Sequence, residues 1–346
     1  MDPELILQKS DNTVGLHSPE LPEGVGPWFN SAQLQISKLN SENKIVLIDF
    51  WTYSCVNCLR TLPYIKKWHE KYSSLGLIII GVHTPEFEFE RESKNVGEFL
   101  KKEGILYPVV MDNDYRIWNS FANHYWPRKY LIDTKGIIRL DHAWEGSYKE
   151  TEAEIQKLLR ESSVENLPSI EEELHKHIAQ GAVCYPMTPE LYAGYLRSVI
   201  GNSGGFVQDQ IHVYRSPDTD EYADGKLYLE GDWVAKNEYL IHHRDVDAPT
   251  DFVAILYHGL EVNAVMKSSS GKVTRVLVQR DGRPLQKAFA GVDVTFDDSG
   301  LTYIDVAEPR LYNLVKDGEY GKHILRLSPL HQDFQIFAYT FGGCDD

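Results

Sequence analysis

Asp49-Phe50-Trp51-Thr52-Tyr53-Ser54-Cys55-Val56-Asn57-Cys58 is the stretch that decides how this chain folds. Upstream of it, Lys44-Ile45-Val46-Leu47-Ile48-Asp49-Phe50 is a nearly continuous apolar run, as expected for a central parallel strand. Downstream, Leu59, Leu62, Ile65, Trp68 and Tyr72 recur at helical spacing through a segment bearing Lys and Glu. A buried strand therefore leads into a helix that starts near Cys55. The Cys-x-x-Cys spacing places both sulfurs on one side of the first helical turn, close enough to bridge. Cys55 faces unpaired backbone N–H groups and the positive end of the helix, which favour thiolate over thiol. Cys58, one turn further in, is expected to be shielded and to act as the resolving thiol. The competing reading of such a pair is half of a zinc site. No second Cys-x-x-Cys or close His pair supplies the other ligands at zinc-finger spacing, so a redox pair is expected and a metal is not.

Outward from this stretch the first half alternates strands and helices. Leu77 to Val82 reads as a second buried strand, Asn95 to Lys102 as a helix closed by Gly104, and Tyr107 to Met111 as a short strand. Tyr115 to Phe121 is expected to be helical. Arg128 to Asp133 and Ile137 to Leu140 flank Thr134-Lys135-Gly136, a hairpin signal, and a last helix is expected from Glu150 to Glu161. These elements make an α/β domain, a mixed central sheet covered by helices, over residues 1–164. Residues 165–183 are polar, with Glu171-Glu172-Glu173 among them, and read as a helical linker. Residues 184–346 read as all-β. Lys226 to Leu229, Asp251 to Tyr257, Thr274 to Gln279 and Phe334 to Thr340 alternate between turns at Asp281-Gly282, Asp298-Ser299-Gly300 and Asp317-Gly318. The pattern suggests a β-sandwich. Trp233, Tyr239, His242, His243 and Tyr257 are candidates for a ligand face that would stack a sugar, with core packing as the competing reading.

The 346 residues carry a formal net charge of −16, which argues against nucleic-acid or anionic-membrane partners. No apolar run approaches the roughly 18 residues of a transmembrane helix. The first residues lack the basic and apolar regions of a signal peptide, so a cytoplasmic protein is expected. The alternative is the soluble extracytoplasmic part of a larger membrane protein. Four cysteines are too few for a disulfide-stapled scaffold. A Cys184–Cys344 pair would tether the linker to the last strand, but free, packed thiols are expected of a reducing compartment.

Four stretches carry a family resemblance. They are residues 49–58 above, Gly81-Val82-His83-Thr84-Pro85-Glu86-Phe87, Tyr125-Trp126-Pro127, and Tyr130-Leu131-Ile132-Asp133. Residues from about Phe29 to Leu159 resemble the thioredoxin-like (redoxin) domains of the TlpA/ResA group, most closely its DipZ-like branch. That branch also carries a jelly-roll β-sandwich resembling a carbohydrate-binding module, which fits the second half. It usually has a membrane electron-transfer domain in front, which this sequence does not show. The resemblance implies thiol–disulfide exchange with protein substrates, Cys55 attacking and Cys58 resolving. It implies no cofactor beyond the Cys55–Cys58 disulfide and an external electron donor or acceptor.

The same resemblance assigns roles to individual residues. Trp126-Pro127 matches the cis-proline loop that faces the two cysteines and pairs with an extended substrate. Trp51 and Tyr53 would wall the site. Asp49 matches a buried acid beneath the resolving cysteine; in an apolar strand its pKa should be raised, ready to accept the Cys58 proton. Glu86 aligns with a second acid near the disulfide, and Pro63 with a helix-kinking proline. Two other functions remain open. Thr52-x-x-Cys55 is shared with peroxiredoxin-type thiol peroxidases, although Ile48 stands where their proline is expected. A non-enzymatic adaptor acting through the sandwich would have no need of two reactive thiols.

Overall fold

The computed structural model describes residues 13–170 and 184–344. The chain divides into two compact units, 1–179 and 180–346. The first contains β1 (Trp28–Phe29), α1 (Ile36–Ser41), β2 (Ile45–Trp51), α2 (Val56–Tyr72), β3 (Leu77–His83) and α3 (Ser93–Glu103). These are followed by β4 (Val109–Met111), α4 (Arg116–Ser120), β5 (Arg128–Ile132), β6 (Ile138–Ala143) and α5 (Tyr148–Glu161). One six-stranded sheet runs in the order β1-β4-β3-β2-β5-β6. β2, β3 and β4 are parallel, while β5 and β6 form the antiparallel hairpin expected from the sequence.

β2 is buried along its whole length, so both its faces must be covered. Val46, Ile48 and Phe50 join Ile36 and Leu39 of α1 and Ile117 and Trp118 of α4 in one core cluster. The alternate residues Leu47, Asp49 and Trp51 point to the opposite face. There Cys58 of α2 comes under the influence of Asp49. α3 stops where Gly104 turns left-handed, at φ 63°. The β5–β6 turn is held by Asp133, whose Oδ1 accepts the N–H groups of Lys135 and Ile137. Of the expected helical linker, residues 165–170 carry no helix, and 171–183 lie outside the described residues.

The second unit is all-β. It contains β7 (Leu191–Tyr192), β8 (Ile211–Tyr214), β9 (Leu227–Ala235), β10 (Leu240–His242), β11 (Phe252–Ser268) and β12 (Thr274–Arg280). Then come β13 (Arg283–Pro284), β14 (Thr295–Phe296), β15 (Thr302–Val306), β16 (Arg310–Pro329) and β17 (Phe334–Gly342). Hydrogen bonds join them into one eleven-stranded sheet. The long strand β11 changes partner along its length. Phe252–Ile255 pair with β9, whereas Glu261–Ser268 pair with β17. Strands that switch neighbours in this way turn a sheet back over itself. Accordingly Leu229, Trp233, Tyr257, Val278, Leu325 and Tyr339, from five strands, share one core.

The structure decides three readings of this unit. Asp317-Gly318 turns within one strand rather than between two: Gly259 pairs with Gly321 and Glu261 with Lys316, so residues 317–320 are an insertion within β16, where Asp317 Oδ1 accepts the Glu319 N–H. The aromatic cluster weighed as a ligand face is mostly core, the reading set against sugar stacking. Trp233, His242 and Tyr257 are each 0 % exposed. His242 is taken up by the His331 carbonyl (2.9 Å) and Asp251 (3.1 Å), and the Tyr239 ring lies 5.0 Å from Phe337. Finally, Cys184 and Cys344 are not free thiols. They face each other in an antiparallel bridge and form a disulfide across a sequence separation of 160.

That bond restrains a long loop in the unfolded chain, so its loss should cost about 2–5 kcal/mol of stability. The expectation is a lower urea midpoint for Cys184→Ser/Cys344→Ser than for the parent, both carrying serine at 55 and 58. Equal midpoints would deny the bond a stabilising role.

Candidate active site

The end of β2 delivers the chain directly to α2, and Cys55 occupies the helix N-cap with extended backbone, φ −81° and ψ 116°. Its Sγ accepts the Cys58 N–H at 3.3 Å, the position a capping oxygen fills elsewhere. Cys55 is half-buried, Cys58 is 4 % exposed, and both are free thiols. Pro63 lies inside α2 as expected. The nucleophile is therefore reachable and the second thiol shielded.

Asp49 lies beneath this turn. In the sheet register it sits between Gly81 of β3 and Lys129 of β5. Burial pushes its carboxyl up to about 7, with the Lys129 ammonium pulling the other way. Burial likewise pushes the Cys58 thiol well up, helped by the Cys55 hydrogen bond and charge and by Asp49. Gly81 makes room for this arrangement. A Cβ there would lie 2.9 Å from Trp51 Nε1 and 3.1 Å from Tyr107 Cε2, so any larger residue would displace both rings. Tyr107 is itself raised well above its ordinary value by burial, then by Asp49 and Cys58.

Trp51 and Tyr53 do not wall the site at its surface. They are 3 % and 2 % exposed and pack with His83 and Phe99. Burial pulls the His83 imidazole down to about 3, so it is neutral; its Nε2 lies 3.3 Å from Thr52 Oγ1.

The segment after β3 carries two acids, the expected Glu86 and Glu90. Glu86 is half-buried, and its backbone N–H donates to Glu90 Oε2 at 2.5 Å. Glu90 is 0 % exposed and accepts further bonds from the Phe87 N–H (3.0 Å) and the Ser54 hydroxyl (2.6 Å). Burial pushes its carboxyl up to about 7 against the donors from Ser54 and Thr52. Glu90 thus ties the segment after β3 to the residue preceding Cys55.

Trp126-Pro127 joins by a cis peptide bond. Because Phe50 pairs with Arg128, Pro127 stands at the end of β5 beside the part of β2 that leads to Cys55. The half-buried Trp126 donates from Nε1 to the Thr84 carbonyl (3.1 Å), and its ring lies 4.2 Å from Trp118. The Pro127 carbonyl accepts the Trp144 N–H at 2.7 Å. Arg128 holds Asp141 through two bonds of 2.8 Å, fixing the start of β5. No group of three or more His, Cys, Asp or Glu among the described residues is placed to hold a metal.

The structure thus brings Cys55, Cys58, Asp49 and Pro127 to one end of the sheet. It adds Glu90, Lys129, His83 and Tyr107, which the sequence reading did not single out. A charge at Lys129, inside a run continuing Tyr130-Leu131-Ile132, was the one available signal.

Glu90 generates a pH-dependent prediction. Its folded value, about 7, exceeds the ordinary 4.5, so the folded protein holds a proton that the unfolded chain releases. Stability therefore falls as pH rises through that window. Glutamine mimics the protonated acid, so Glu90→Gln should match the parent near pH 4.5 and exceed it by up to about 3 kcal/mol above pH 7. Urea unfolding at both pH values checks this; a constant difference would show that Glu90 does not titrate there.

Residues 188–342 match the family described as "Thioredoxin like C-terminal domain", and residues 21–140 match the "AhpC/TSA family". Protein DipZ of Mycobacterium tuberculosis is 30 % identical over 339 residues, covering 96 % of this chain and 44 % of that protein. The chain thus spans less than half the length of this relative. The thiol-disulfide oxidoreductase YkuV of Bacillus subtilis is 29 % identical over 144 residues, 42 % of this chain and 95 % of its own length. ResA of the same organism is 27 % identical over 109 residues, covering 32 % of this chain and 57 % of ResA. With its paired cysteines at the head of α2, the chain is a homologue of DipZ and of the YkuV and ResA thiol–disulfide oxidoreductases.

Proposed function

We propose that this chain is a protein-disulfide oxidoreductase acting through Cys55 and Cys58. The observation that carries the reading is the asymmetry of the pair: a reachable Cys55 accepting the Cys58 N–H, above a buried Cys58 that adjoins Asp49. The Cys55 thiolate attacks a substrate disulfide; one substrate sulfur leaves as thiolate and the other stays bonded to Cys55. Cys58 then passes its proton to Asp49 and attacks Cys55 Sγ, expelling the second substrate sulfur. Two electrons have moved to the substrate, and an external donor must restore the dithiol. Run in reverse, with an external acceptor, the same steps oxidise a substrate.

An extended segment of the substrate would lie along the Trp126-Pro127 backbone beside the cysteines. The second unit would recruit or hold protein substrates rather than sugars, since its central aromatics are core. The Cys184–Cys344 disulfide favours an oxidising, extracytoplasmic compartment over the cytoplasm. No helix among the described residues is long and apolar enough to cross a membrane. A peroxidase is not favoured: Thr52 is 0 % exposed with its hydroxyl against His83, so it is not offered to a peroxide.

The test is dithiothreitol-driven reduction of insulin. The parent should turn over and Cys55→Ser should be inactive. Cys58→Ser should accumulate a mixed disulfide at Cys55, visible by mass spectrometry without reductant. Parental turnover by Cys55→Ser, or undiminished turnover by Cys58→Ser without the adduct, would overturn the proposal.

A further inference from the structure

In the second unit the large sheet ends on β8, which among the described residues pairs with β9 alone. An edge strand leaves alternate backbone N–H and C=O groups unpaired, so it can template a further strand. Edges are ordinarily blunted by a charge, a proline or a bulge. β8 has none of these: it reads Ile211-His212-Val213-Tyr214 and runs in unbroken register with β9. Tyr214 enters the core, whereas residues 208–213 are all exposed. Ile211 and Val213, at 56 % and 50 % exposed, stand on the same side of the strand. We propose that β8 is a contact between two copies of this chain, joined antiparallel along this edge and centred on His212, so that their sheets become continuous.

The strand is complementary to a second copy of itself. A twofold axis perpendicular to the sheet keeps each face on its own side, and the register through His212 then pairs apolar with apolar. It sets Ile211 against Val213 of the second copy, Val213 against that copy's Ile211, and His212 against its counterpart. Registers centred one residue away would oppose Val213 to Asp209 or Ile211 to Arg215. Cross-strand pairs of β-branched side chains stabilise a sheet, and Val234, opposite Ile211 in the β8–β9 pair, is already buried beside them. The ends match in charge. Arg215, just after β8, is exposed and paired with Glu230 at 2.5 Å; Asp209, in the turn before β8, is exposed and paired with Lys236 at 3.1 Å. Antiparallel pairing brings Arg215 of one copy to the Asp209 turn of the other, so unlike charges meet at both ends. The net charge of −16 opposes association at long range. Charges further apart than about 8 Å are screened at physiological salt, however, and the strand itself carries no acid. The contact is short, which places it among weak, concentration-dependent interfaces. This assembly does not depend on the oxidoreductase reading.

The competing explanation is a solvated edge strand that meets nothing. Single cysteines separate the two, placed in the full chain with serine at 55 and 58. Directly opposed Cα atoms of an antiparallel pair lie about 4.5 or about 5.5 Å apart, both within reach of a disulfide. His212→Cys should therefore give a covalent dimer when oxidised with diamide. Gln210→Cys should not, because position 210 faces position 214 and the two copies of 210 lie about 14 Å apart. Sedimentation velocity reads the same contact without added cysteines. From about 5 to about 500 µM, the range of weak interfaces, the parent should pass from the mass of one chain towards that of two. Val213→Lys puts a charge on the edge and should weaken this association at least about tenfold. A parent that keeps the mass of one chain throughout overturns the proposal. So does a dimer that Val213→Lys leaves as strong as before, or crosslinking of Gln210→Cys as readily as of His212→Cys. If Val213→Lys does not fold, the two cysteine variants, both at exposed positions, decide.

Discussion

A carboxyl group held in a strand that is covered on both faces sets the terms for the rest of the first unit. Keeping Asp49 ionised there costs about 4 kcal/mol, the difference between its ordinary value of 3.8 and about 7. That is comparable with the burial of two large apolar side chains, and α2 alone buries Leu62, Ile65 and Trp68. The helix and sheet can therefore carry the acid, whereas an isolated strand–helix pair would not. The neighbours follow from the same constraint. Gly81 leaves space on one side, Lys129 supplies charge on the other, and Cys58 brings a proton from above.

The two thiols lie one turn apart, yet their surroundings differ. Cys55 stands in for the capping oxygen at the head of α2, where a backbone N–H meets its sulfur. Cys58 faces inward, among groups that penalise its thiolate. A helix start preceded by a buried strand produces this difference without any further element. Glu90 fixes the geometry from the other side by holding Ser54 and the backbone after β3 together. The attacking and resolving roles are thus properties of the helix turn.

Legibility in the sequence tracks the range of the interaction. β2, the start of α2, the β5–β6 hairpin and the redox pair are local patterns, and each is present where periodicity and turn residues place it. Asp49 was also legible, since an acid in an apolar run is visible without knowing its neighbours. Lys129 was not, because its importance depends on the β2–β5 register. Glu86 and Glu90 are indistinguishable in an acidic run; the short helical turn Glu88–Arg91 decides which one turns inward. In the second unit, alternation shows that one side of each strand is buried without showing which side. Trp233 and Tyr257 are therefore as compatible with a ligand face as with the core they occupy. The Cys184–Cys344 pairing is the longest-range case, since it needs both ends of the unit to meet.

The chain holds two cysteine pairs whose bonds are governed by different physics. Cys184 and Cys344 are 160 positions apart, so breaking their bond releases a long loop in the unfolded chain. Its persistence is a matter of chain entropy and of the compartment's redox poise. Cys55 and Cys58 enclose only two residues, and closing so short a loop restrains the unfolded chain little. Their state depends instead on what the folded site favours: the N–H directed at Cys55, the burial of Cys58, and a base titrating near 7. An environment oxidising enough to keep the first bond closed therefore does not dictate the state of the second. A lasting disulfide and a working dithiol can belong to one polypeptide because the first is held by the length of chain it closes and the second by the charges around it.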